Sequence, residues 1–290
     1  MLSILIPTHN SDVFQLVKEV YQQCVSEKID FEIIVLDDAS QNFQEENNKI
    51  NDFNNCTYFV LNQNIGRAAA RNSLAKQARY TNLLFLDADV MPRDKYFIQR
   101  YLVLCNQLIN NAYFGGYCYT NKSLNNTNRL RYFYGKKREE KPAVIRNLTP
   151  LGYVFSGNFL IDKECFLRLQ IPNVNVYGMD IYFAYLLKKN NYHVQHINNE
   201  IIHLGVENNE LFLKKALVSV QYRKENWVNI PEILEINKLL RWYNKLKVVN
   251  GLMKSCFIVI RKPLKYLFFK SKPCLWAFDL YRLLYLFKSN

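Results

Sequence analysis

The sequence lacks any long apolar run. None of its apolar stretches reaches the roughly 18 to 20 uninterrupted residues that a membrane-spanning helix needs. The N-terminal segment "MLSILIPTHN" enters a strand pattern at once, without a basic leader or an apolar stretch of signal-peptide length. We therefore expect neither secretion nor a transmembrane helix.

Paired cysteines are also lacking. The seven cysteines are scattered along the chain, odd in number, and without any CxxC spacing. This pattern argues against a disulfide framework and against a zinc site, and it indicates reduced thiols in the cytoplasm. We expect a cytoplasmic protein.

Acidic residues are almost missing from the C-terminal tail. Residues 238–290 contain twelve Lys or Arg and one acid, Asp279, so the tail carries +11 of the net charge of +13. Its mixture of cations and aromatic residues suits peripheral contact with the inner face of a cell membrane. The alternative is a helical subdomain that packs its aromatics on the core and leaves a solvated basic face. No nucleic-acid-binding motif accompanies the charge, so we expect no nucleic-acid partner.

The rest of the chain has a globular composition, with 49% apolar and 22% charged residues. Its first part alternates apolar strands with helical patterns, which predicts a mostly parallel α/β sheet with helices on both faces. The predicted early strands are "LSILIP", "FEIIVLDD", "TYFVLN" and "NLLFLDAD". Further strands are expected near 112–120 and 153–161, and a polar, basic loop between them at 121–150. From Glu207 onward the pattern is helical.

Three of the early strands end in polar residues that suit a nucleotide. Pro7 and Thr8 follow the first strand, Asp38 the second, and Asp87 and Asp89 the fourth. Ligands of open α/β sheets sit outside the carboxyl ends of the strands. The pair Asp87-x-Asp89 is unfavourable unless a cation or donors offset its charges, and a divalent ion with substrate phosphates is the usual solution. The side chains point the same way if the segment is extended and splay if it turns. For the motif taken alone, a solvated turn is the plainer interpretation.

Three further candidates lie downstream. "NIGRAAARN" predicts a turn and a helix start with Arg67 and Arg71 on one face, which suits a diphosphate, although solvated arginines are an equal alternative. Asp180 follows a glycine turn and is either a helix cap or a catalytic acid. His203 ends an apolar strand, where a histidine is more often structural than a metal ligand.

Together these pieces resemble the family 2 glycosyltransferases of the GT-A fold. The matching segments occur in the family's order and cover residues 1 to about 205: "SILIPTHN", "EIIVLDDAS", "NIGRAAARN", "LLFLDADV", "FSGNFLI", "YGMDIYFAYLLKK" and "IIHLG". The resemblance implies a GT-A domain at 1–206. We expect a helical region that associates with a membrane to follow it at 207–290.

The resemblance also implies a role for each donor-site residue. Asp38 would bind the base of the sugar nucleotide, with Pro7 and Thr8 lining the same pocket. Arg67 and Arg71 would support the nucleotide phosphates, or Arg71 would hold Asp87. Asp87 itself would approach the ribose or the metal.

By the same resemblance, Asp89 and His203 would bind Mn2+ or Mg2+, and Asp180 would be the general base. The implied function is an inverting transferase that moves a sugar from a nucleoside diphosphate sugar, expected to be UDP-linked. The acceptor would be a hydroxyl of a glycan or a lipid-linked molecule in cell-surface polysaccharide or glycolipid synthesis. The alternative is a non-catalytic sugar-nucleotide or partner-binding relative. Met179, where relatives commonly have Glu, is the one feature in its favour, and the retained Asp87, Asp89, Asp180 and His203 speak against it. A nucleotidyltransferase is a second alternative, but "PTHNSDVF" lacks its glycine-rich loop.

Overall fold

The computed structural model describes residues 1–288, apart from the side chain of Ser123, so the last two residues of the predicted tail lie outside it. The chain forms ten strands in the described part: β1 Leu2–Thr8, β2 Phe31–Asp37, β3 Cys56–Val60, β4 Asn82–Leu86, β5 Val90–Pro92, β6 Asn111–Phe114, β7 Tyr117–Cys118, β8 Asn158–Asp162, β9 His193–His196 and β10 Ile201–His203. Nearly every residue of β1, β2 and β4 is buried, as expected for strands covered on both faces.

The helices connect these strands and then fill the C-terminal region. Their bounds are α1 Phe14–Ser26, α2 Gln44–Asn48, α3 Arg67–Gln77, α4 Phe97–Leu102, α5 Arg129–Tyr134, α6 Ala143–Arg146, α7 Lys163–Arg168, α8 Asp180–Lys189, α9 Asn209–Trp227, α10 Pro231–Ile236, α11 Lys238–Leu246, α12 Asn250–Phe269 and α13 Leu275–Tyr285. Among the helices of the described residues, none is long and apolar enough to cross a membrane.

Seven strands form the central sheet in the order β3-β2-β1-β4-β8-β6-β9. Only β8 runs antiparallel to its neighbours β4 and β6, and the remaining pairs are parallel. The prediction of a mostly parallel α/β sheet is therefore confirmed. A second, three-stranded sheet has the order β5-β10-β7.

The chain divides into two compact units. Unit 1 comprises Met1–Cys118, Glu140–Asn175 and Leu186–Gly205, and unit 2 comprises Tyr119–Glu139, Val176–Tyr185 and Val206–Asn290. The last change of unit along the chain lies between Gly205 and Val206. The two earlier segments join unit 2 because their apolar side chains pack with its helices: Leu130 with Phe212, and Met179 with Trp227.

The prediction of a loop at 121–150 is wrong. This stretch contains α5, the helical segment Gly135–Glu139 and α6. The composition suggested a solvated loop, but Leu130 is fully buried and Tyr132 is 3% exposed, so the polar run is interrupted by core side chains. The predicted strand at 112–120 is also broken, since Gly116 has a φ of +87° between β6 and β7.

Arg146 holds the backbone between β6 and β7 in place, within unit 1. It is fully buried, and a Cβ on Gly116 would collide with its guanidinium group. All five of its N–H groups donate hydrogen bonds: to the carbonyl oxygens of Lys141, Phe114, Gly115 and Ile197, and to Nδ1 of His196. The arginine therefore serves the fold of unit 1 rather than a ligand.

Candidate active site

The register of unit 1 brings the polar strand ends to one edge of the central sheet. β1 lies between β2 and β4, and Thr8 pairs with Asp37 while Leu5 pairs with Phe85. Because the three strands are parallel, the residues that follow each one emerge at the same edge. The segments that carry Pro7-Thr8, Asp38 and Asp87 are thus neighbours, as the sequence predicted.

Asp37, the first of the two adjacent aspartates, has a structural role. It is fully buried, and its carboxylate accepts hydrogen bonds from the Ser40 N–H (2.7 Å) and the Tyr58 hydroxyl (2.5 Å). Burial and this hydrogen bond raise the pKa of Tyr58 above its ordinary range, so the phenol stays a donor.

Asp38 holds the turn that leads into α3. It is 5% exposed, and its two oxygens accept the N–H groups of Ile65 (2.6 Å) and Gly66 (2.8 Å). Gly66 has a φ of +85°, which favours glycine at this turn. Each carboxylate oxygen keeps a second acceptor position, so Asp38 can still bind a donor group.

Thr8 and Pro7 lie beside Asp38. Thr8 is 3% exposed, and its carbonyl oxygen accepts the Asp38 N–H at 2.9 Å, whereas Pro7 is partly exposed. His9 follows them and is exposed, with Nδ1 2.9 Å from the carbonyl oxygen of Asp38. Since a carbonyl can only accept, Nδ1 carries the proton of this hydrogen bond.

The two arginines of α3 differ in their surroundings. Arg67 is the first residue of the helix and is exposed. Arg71 is 9% exposed and its Nη2 donates to Oδ1 of Asp87 in a short ion pair. Of the two predicted roles of Arg71, the ion pair with Asp87 is the one present in the structure.

The chain turns at Ala88-Asp89, so the two acidic side chains splay and take separate partners. Besides Arg71, Asp87 faces the hydroxyl of Tyr117, which is 3.4 Å from Oδ2. A Cβ on Gly157 would collide with both of these groups. This close packing fixes the orientation of Asp87.

Asp89 meets His203 through the second sheet. The antiparallel pairing of β5 with β10 puts His203 opposite Val90, and the Leu204 N–H donates to the Asp89 carbonyl oxygen at 2.8 Å. Nε2 of His203 is 4.0 Å from Oδ2 of Asp89. A Cβ on Gly205 would collide with the Asp89 carboxylate, so the glycine is needed here.

These two side chains can hold a divalent cation between them. The Asp89 side chain is 42% exposed and that of His203 12%, so the carboxylate is open to an incoming ligand. Among the described residues, no group of three or more His, Cys, Asp or Glu could hold a metal. A two-residue set still fits Mg2+ or Mn2+, which commonly take few protein ligands and complete their shell with substrate phosphates and water.

Asp180 belongs to unit 2, where it is the first residue of α8. The turn before it has Gly178 at a φ of +88°. The Arg223 guanidinium fills the space where a Gly178 Cβ would stand, and the Ser219 hydroxyl donates to the Tyr177 carbonyl oxygen. Helix α9 therefore fixes the turn from which Asp180 projects.

This packing leaves one N–H donor of Arg223 without an acceptor among the described residues. Its Nε is buried and has no hydrogen-bond partner among the described residues. Burial, and then the positive charge of Arg282, lower its pKa to about 10, while the charge of Asp180 opposes this shift. The positive charge of Arg223 in turn favours the ionised form of Asp180.

Met179, which precedes Asp180, is an apolar packing residue. It lies against the cluster of Trp227, Ile233 and Leu240 in unit 2. Where relatives have Glu, this chain therefore has a side chain that packs in the apolar core of unit 2.

Sequence reasoning missed three residues near these groups. His9 directly follows a predicted strand end, which is a usable signal. Tyr117 faces Asp87 with its hydroxyl, and its ring centroid is 5.5 Å from that of His203. Neither Tyr117 nor Arg223 has a local signal, because the groups they contact are distant in sequence.

The sequence profile of glycosyl transferase family 2 matches residues 3–168, more than half of the chain. The chain belongs to this family. It is therefore a glycosyltransferase, and the predicted resemblance is confirmed. No curated protein sequence matches the chain significantly.

Solved structures support the fold of this family 2 enzyme. The mannosyltransferase PcManGT from Pyrobaculum calidifontis, in complex with GDP-Man and Mn2+, is 16% identical with a TM-score of 0.63, over 98% of this chain and 85% of that one. S. aureus TarS 1-349 is 15% identical with a TM-score of 0.53, over 92% and 77%. Its complex with UDP-GlcNAc is 16% identical with a TM-score of 0.52, over 78% and 66%. These likenesses confirm the GT-A fold.

Proposed function

We propose that this glycosyltransferase is metal-dependent and inverting, and that its donor is a nucleoside diphosphate sugar, with UDP as the expected nucleotide. The observation that carries the proposal is the pairing of the open Asp89 carboxylate with His203 at 4.0 Å, next to the turn that presents Asp87. The complexes of TarS with UDP-GlcNAc and of PcManGT with GDP-Man and Mn2+ support a donor of this class.

The residues at the strand ends would bind the nucleotide. Asp38 would accept a hydrogen bond from the base, using the acceptor positions that Ile65 and Gly66 leave open, with Pro7 and Thr8 beside it. Asp87 would accept from the ribose. In that role the ion pair with Arg71 would hold the Asp87 carboxylate in place.

The phosphates would meet positive charge from two sources. Arg67 at the start of α3 is exposed, and the first N–H groups of a helix favour an anion. Asp89 and His203 would hold the divalent ion, which when bound offsets the charge of the departing diphosphate. The imidazole favours Mn2+ over Mg2+, because transition metals accept nitrogen ligands more readily.

Asp180 would act as the general base. It would take the proton of the acceptor hydroxyl while the hydroxyl oxygen bonds to the anomeric carbon and the bond from that carbon to the diphosphate breaks. A single displacement of this kind inverts the configuration at the anomeric carbon. Arg223 would help to keep Asp180 ionised and ready to accept the proton.

For the acceptor, we propose a hydroxyl of a glycan or a lipid-linked molecule in cell-surface polysaccharide or glycolipid synthesis. The support is the tail, whose charge of +11 would hold the enzyme at an anionic membrane surface. Each cation near such a surface contributes about 1 kcal/mol. We propose that this surface is the inner face of the cell membrane.

The first test is binding of a panel of nucleoside diphosphates, with and without Mn2+. Wild type should bind one nucleotide in a metal-dependent way, and Asp89→Ala should lose the metal dependence. Asp180→Asn should bind the nucleotide normally but transfer sugar about a hundredfold more slowly or worse, as expected for loss of a general base. Release of nucleoside diphosphate, rather than pyrophosphate, identifies sugar transfer.

Asp52→Ala is the matched control, because Asp52 is an exposed carboxylate of unit 1 away from the strand ends. It should bind nucleotides as wild type does. Metal-independent binding in wild type, or an Asp89→Ala variant with unchanged metal dependence, would contradict the assignment of Asp89.

A further inference from the structure

Helix α12 in unit 2 has two apolar faces. Its inner face carries Phe257 and Phe268, which are 2% and 0% exposed in the core of that unit. Its outer face carries Leu252, Val259 and Tyr266, which are 65%, 73% and 75% exposed. A helix at the surface of a globular protein normally presents polar residues on the side opposite its core contacts. The outer face of α12 departs from that pattern.

The three outer residues form one continuous stripe. They are spaced by seven, which in an α-helix returns to nearly the same direction every two turns. Val259 comes two residues after the buried Phe257, a rotation of roughly 200°, so the stripe lies opposite the core contact. We call Leu252, Val259 and Tyr266 the outer stripe.

One cation of α12 flanks the outer stripe. Lys262 follows Val259 by three residues, a rotation of roughly 300°, so it lies beside the stripe. Helix α12 contains Lys254, Arg261, Lys262 and Lys265, and it contains no acidic residue. Lysine and arginine can extend long apolar stems along an apolar surface while their charged ends reach a polar layer. An apolar stripe flanked by Lys262, with Lys270 following the end of the helix, suits the boundary between lipid headgroups and acyl chains.

A hollow opens at the C-terminal end of the stripe. Its volume is about 380 Å³, and its lining consists of Lys262, Lys265, Tyr266, Phe269 and Lys270. The Lys265 ammonium lies 5.2 Å from the Phe269 ring centroid and 3.5 Å from a carboxylate oxygen of Glu210. The rings of Tyr266 and Phe269 suit an apolar chain, and Lys262 and Lys270 beside them supply positive charge for the phosphate of an ester that carries such a chain.

The charge also discriminates among possible occupants of the stripe. In a pairing of two copies through the outer stripe, Lys262 of each copy would lie at the contact without any α12 acid to offset its charge. A bilayer of zwitterionic lipid would cover the stripe but leave the cations without counter-charge. An anionic bilayer satisfies both the apolar and the charged parts of the surface.

We propose that the outer stripe of α12 docks on an anionic bilayer, with a phospholipid phosphate in the hollow beside Tyr266. This inference rests on the membrane contact in the proposed function and specifies the surface that makes it. The stripe enters the headgroup layer along the plane of the membrane, and no part of α12 crosses it.

The test is sedimentation of the full-length protein with vesicles of phosphatidylcholine, with and without phosphatidylglycerol. Wild type should bind the anionic vesicles and not the neutral ones, and high salt should weaken the binding. Val259→Asp should reduce the affinity for anionic vesicles on the order of tenfold or more, because it puts a carboxylate into the stripe. Lys262→Glu combined with Lys270→Glu should do the same.

Two control variants match these changes elsewhere. Val103→Asp alters a valine of unit 1 that is 69% exposed, against 73% for Val259, and Lys18→Glu alters an exposed lysine of α1. Both should bind anionic vesicles as wild type does. Inorganic phosphate should compete only weakly, since it lacks the apolar chain that the outer stripe covers.

Several outcomes would overturn the proposal. If wild type fails to bind anionic vesicles, both this inference and the membrane contact are wrong, while nucleotide binding and sugar transfer to a soluble acceptor still test the enzymatic proposal separately. If Val259→Asp binds like wild type, the membrane contact lies elsewhere on the chain. If the variant instead changes the sedimentation coefficient of the lipid-free protein, the stripe is an interface between copies.

Discussion

Two arginines, Arg146 in unit 1 and Arg223 in unit 2, show how the same side chain can serve different ends. Burial lowers the pKa of both. All five N–H groups of Arg146 have acceptors, whereas the buried Nε of Arg223 has none among the described residues. A guanidinium whose donors are all satisfied by the fold is structural. Arg223 keeps a donor that the fold does not use and interacts electrostatically with Asp180, so we expect it to act on the proposed base.

Substitution of Arg146 should have the largest effect, and the effect should be on stability. Arg146→Met keeps most of the volume but leaves buried acceptors without a donor, and we expect the free energy of unfolding to fall by about 4 kcal/mol. Urea unfolding of the full chain measures the change. The matched control is Arg168→Met, because the Arg168 side chain is 69% exposed and pairs with the exposed Glu164.

The control should stay within about 0.5 kcal/mol of wild type. If Arg146→Met is as stable as wild type, the five hydrogen bonds contribute little to the free energy of unfolding. Arg146 would then not be the structural arginine with which Arg223 is compared.

The sequence predicted unit 1 well because its elements follow local rules. Each early strand is an apolar run, and each run ends at a polar residue that the parallel register then places at one edge, as for Thr8, Asp38 and Asp87. The alternative of splayed carboxylates was also correct, since the chain turns at Asp89. Local patterns suffice where the neighbouring strand enforces the geometry.

Unit 2 could not be predicted in the same way. The segment with Leu130 and Arg131 was taken for a loop, because its charge hides the apolar residues that pack against helices far along the chain. Arg223 of unit 2 packs on Gly178, which is 45 residues away in sequence. Unit 1 has the same limit at Arg146, which contacts His196 fifty residues away. Periodicity shows which face of an element is apolar, but it does not show which distant polar group an arginine will meet.

The pH dependence of stability gives the second largest effect and probes the same buried arginine. Nδ1 of His196 accepts from Arg146 at 2.9 Å, so Nε2 carries the proton and donates to the Pro150 carbonyl oxygen at 2.9 Å. Burial, with a contribution from the charge of Arg146, lowers the pKa of His196 from 6.5 to about 4. The folded protein thus keeps the imidazole neutral where the unfolded chain protonates it.

Because the folded pKa lies below the unfolded one, the unfolded state binds more protons between these two values. The free energy of unfolding should therefore be greatest above about pH 6.5 and decrease by about 3 kcal/mol as the pH falls to about 4. His196→Gln should remove this part of the slope, and the exposed His193→Gln should retain it. Equal slopes in the two variants would show that another group titrates.

Arg223 should give the smallest free-energy change, and the change should be in catalysis. Arg223→Gln removes the charge that favours ionised Asp180, so we expect the pKa of the base and the acidic limb of the rate profile to move upward. We expect kcat to fall about tenfold, equivalent to about 1.4 kcal/mol, with an unchanged KM for the donor. Arg223→Lys should recover most of the rate because it retains the charge.

The readouts separate positioning of the base from a purely structural role. A structural arginine would change the free energy of unfolding, as Arg146→Met should, without moving the pH profile of the protein that remains folded. A positioning arginine would move the profile in wild type but have no further effect in Asp180→Asn, where the titrating carboxylate is gone. If Arg223→Gln lowers kcat equally in both backgrounds, the arginine does not act through Asp180, and the unpaired Nε must be explained by another group.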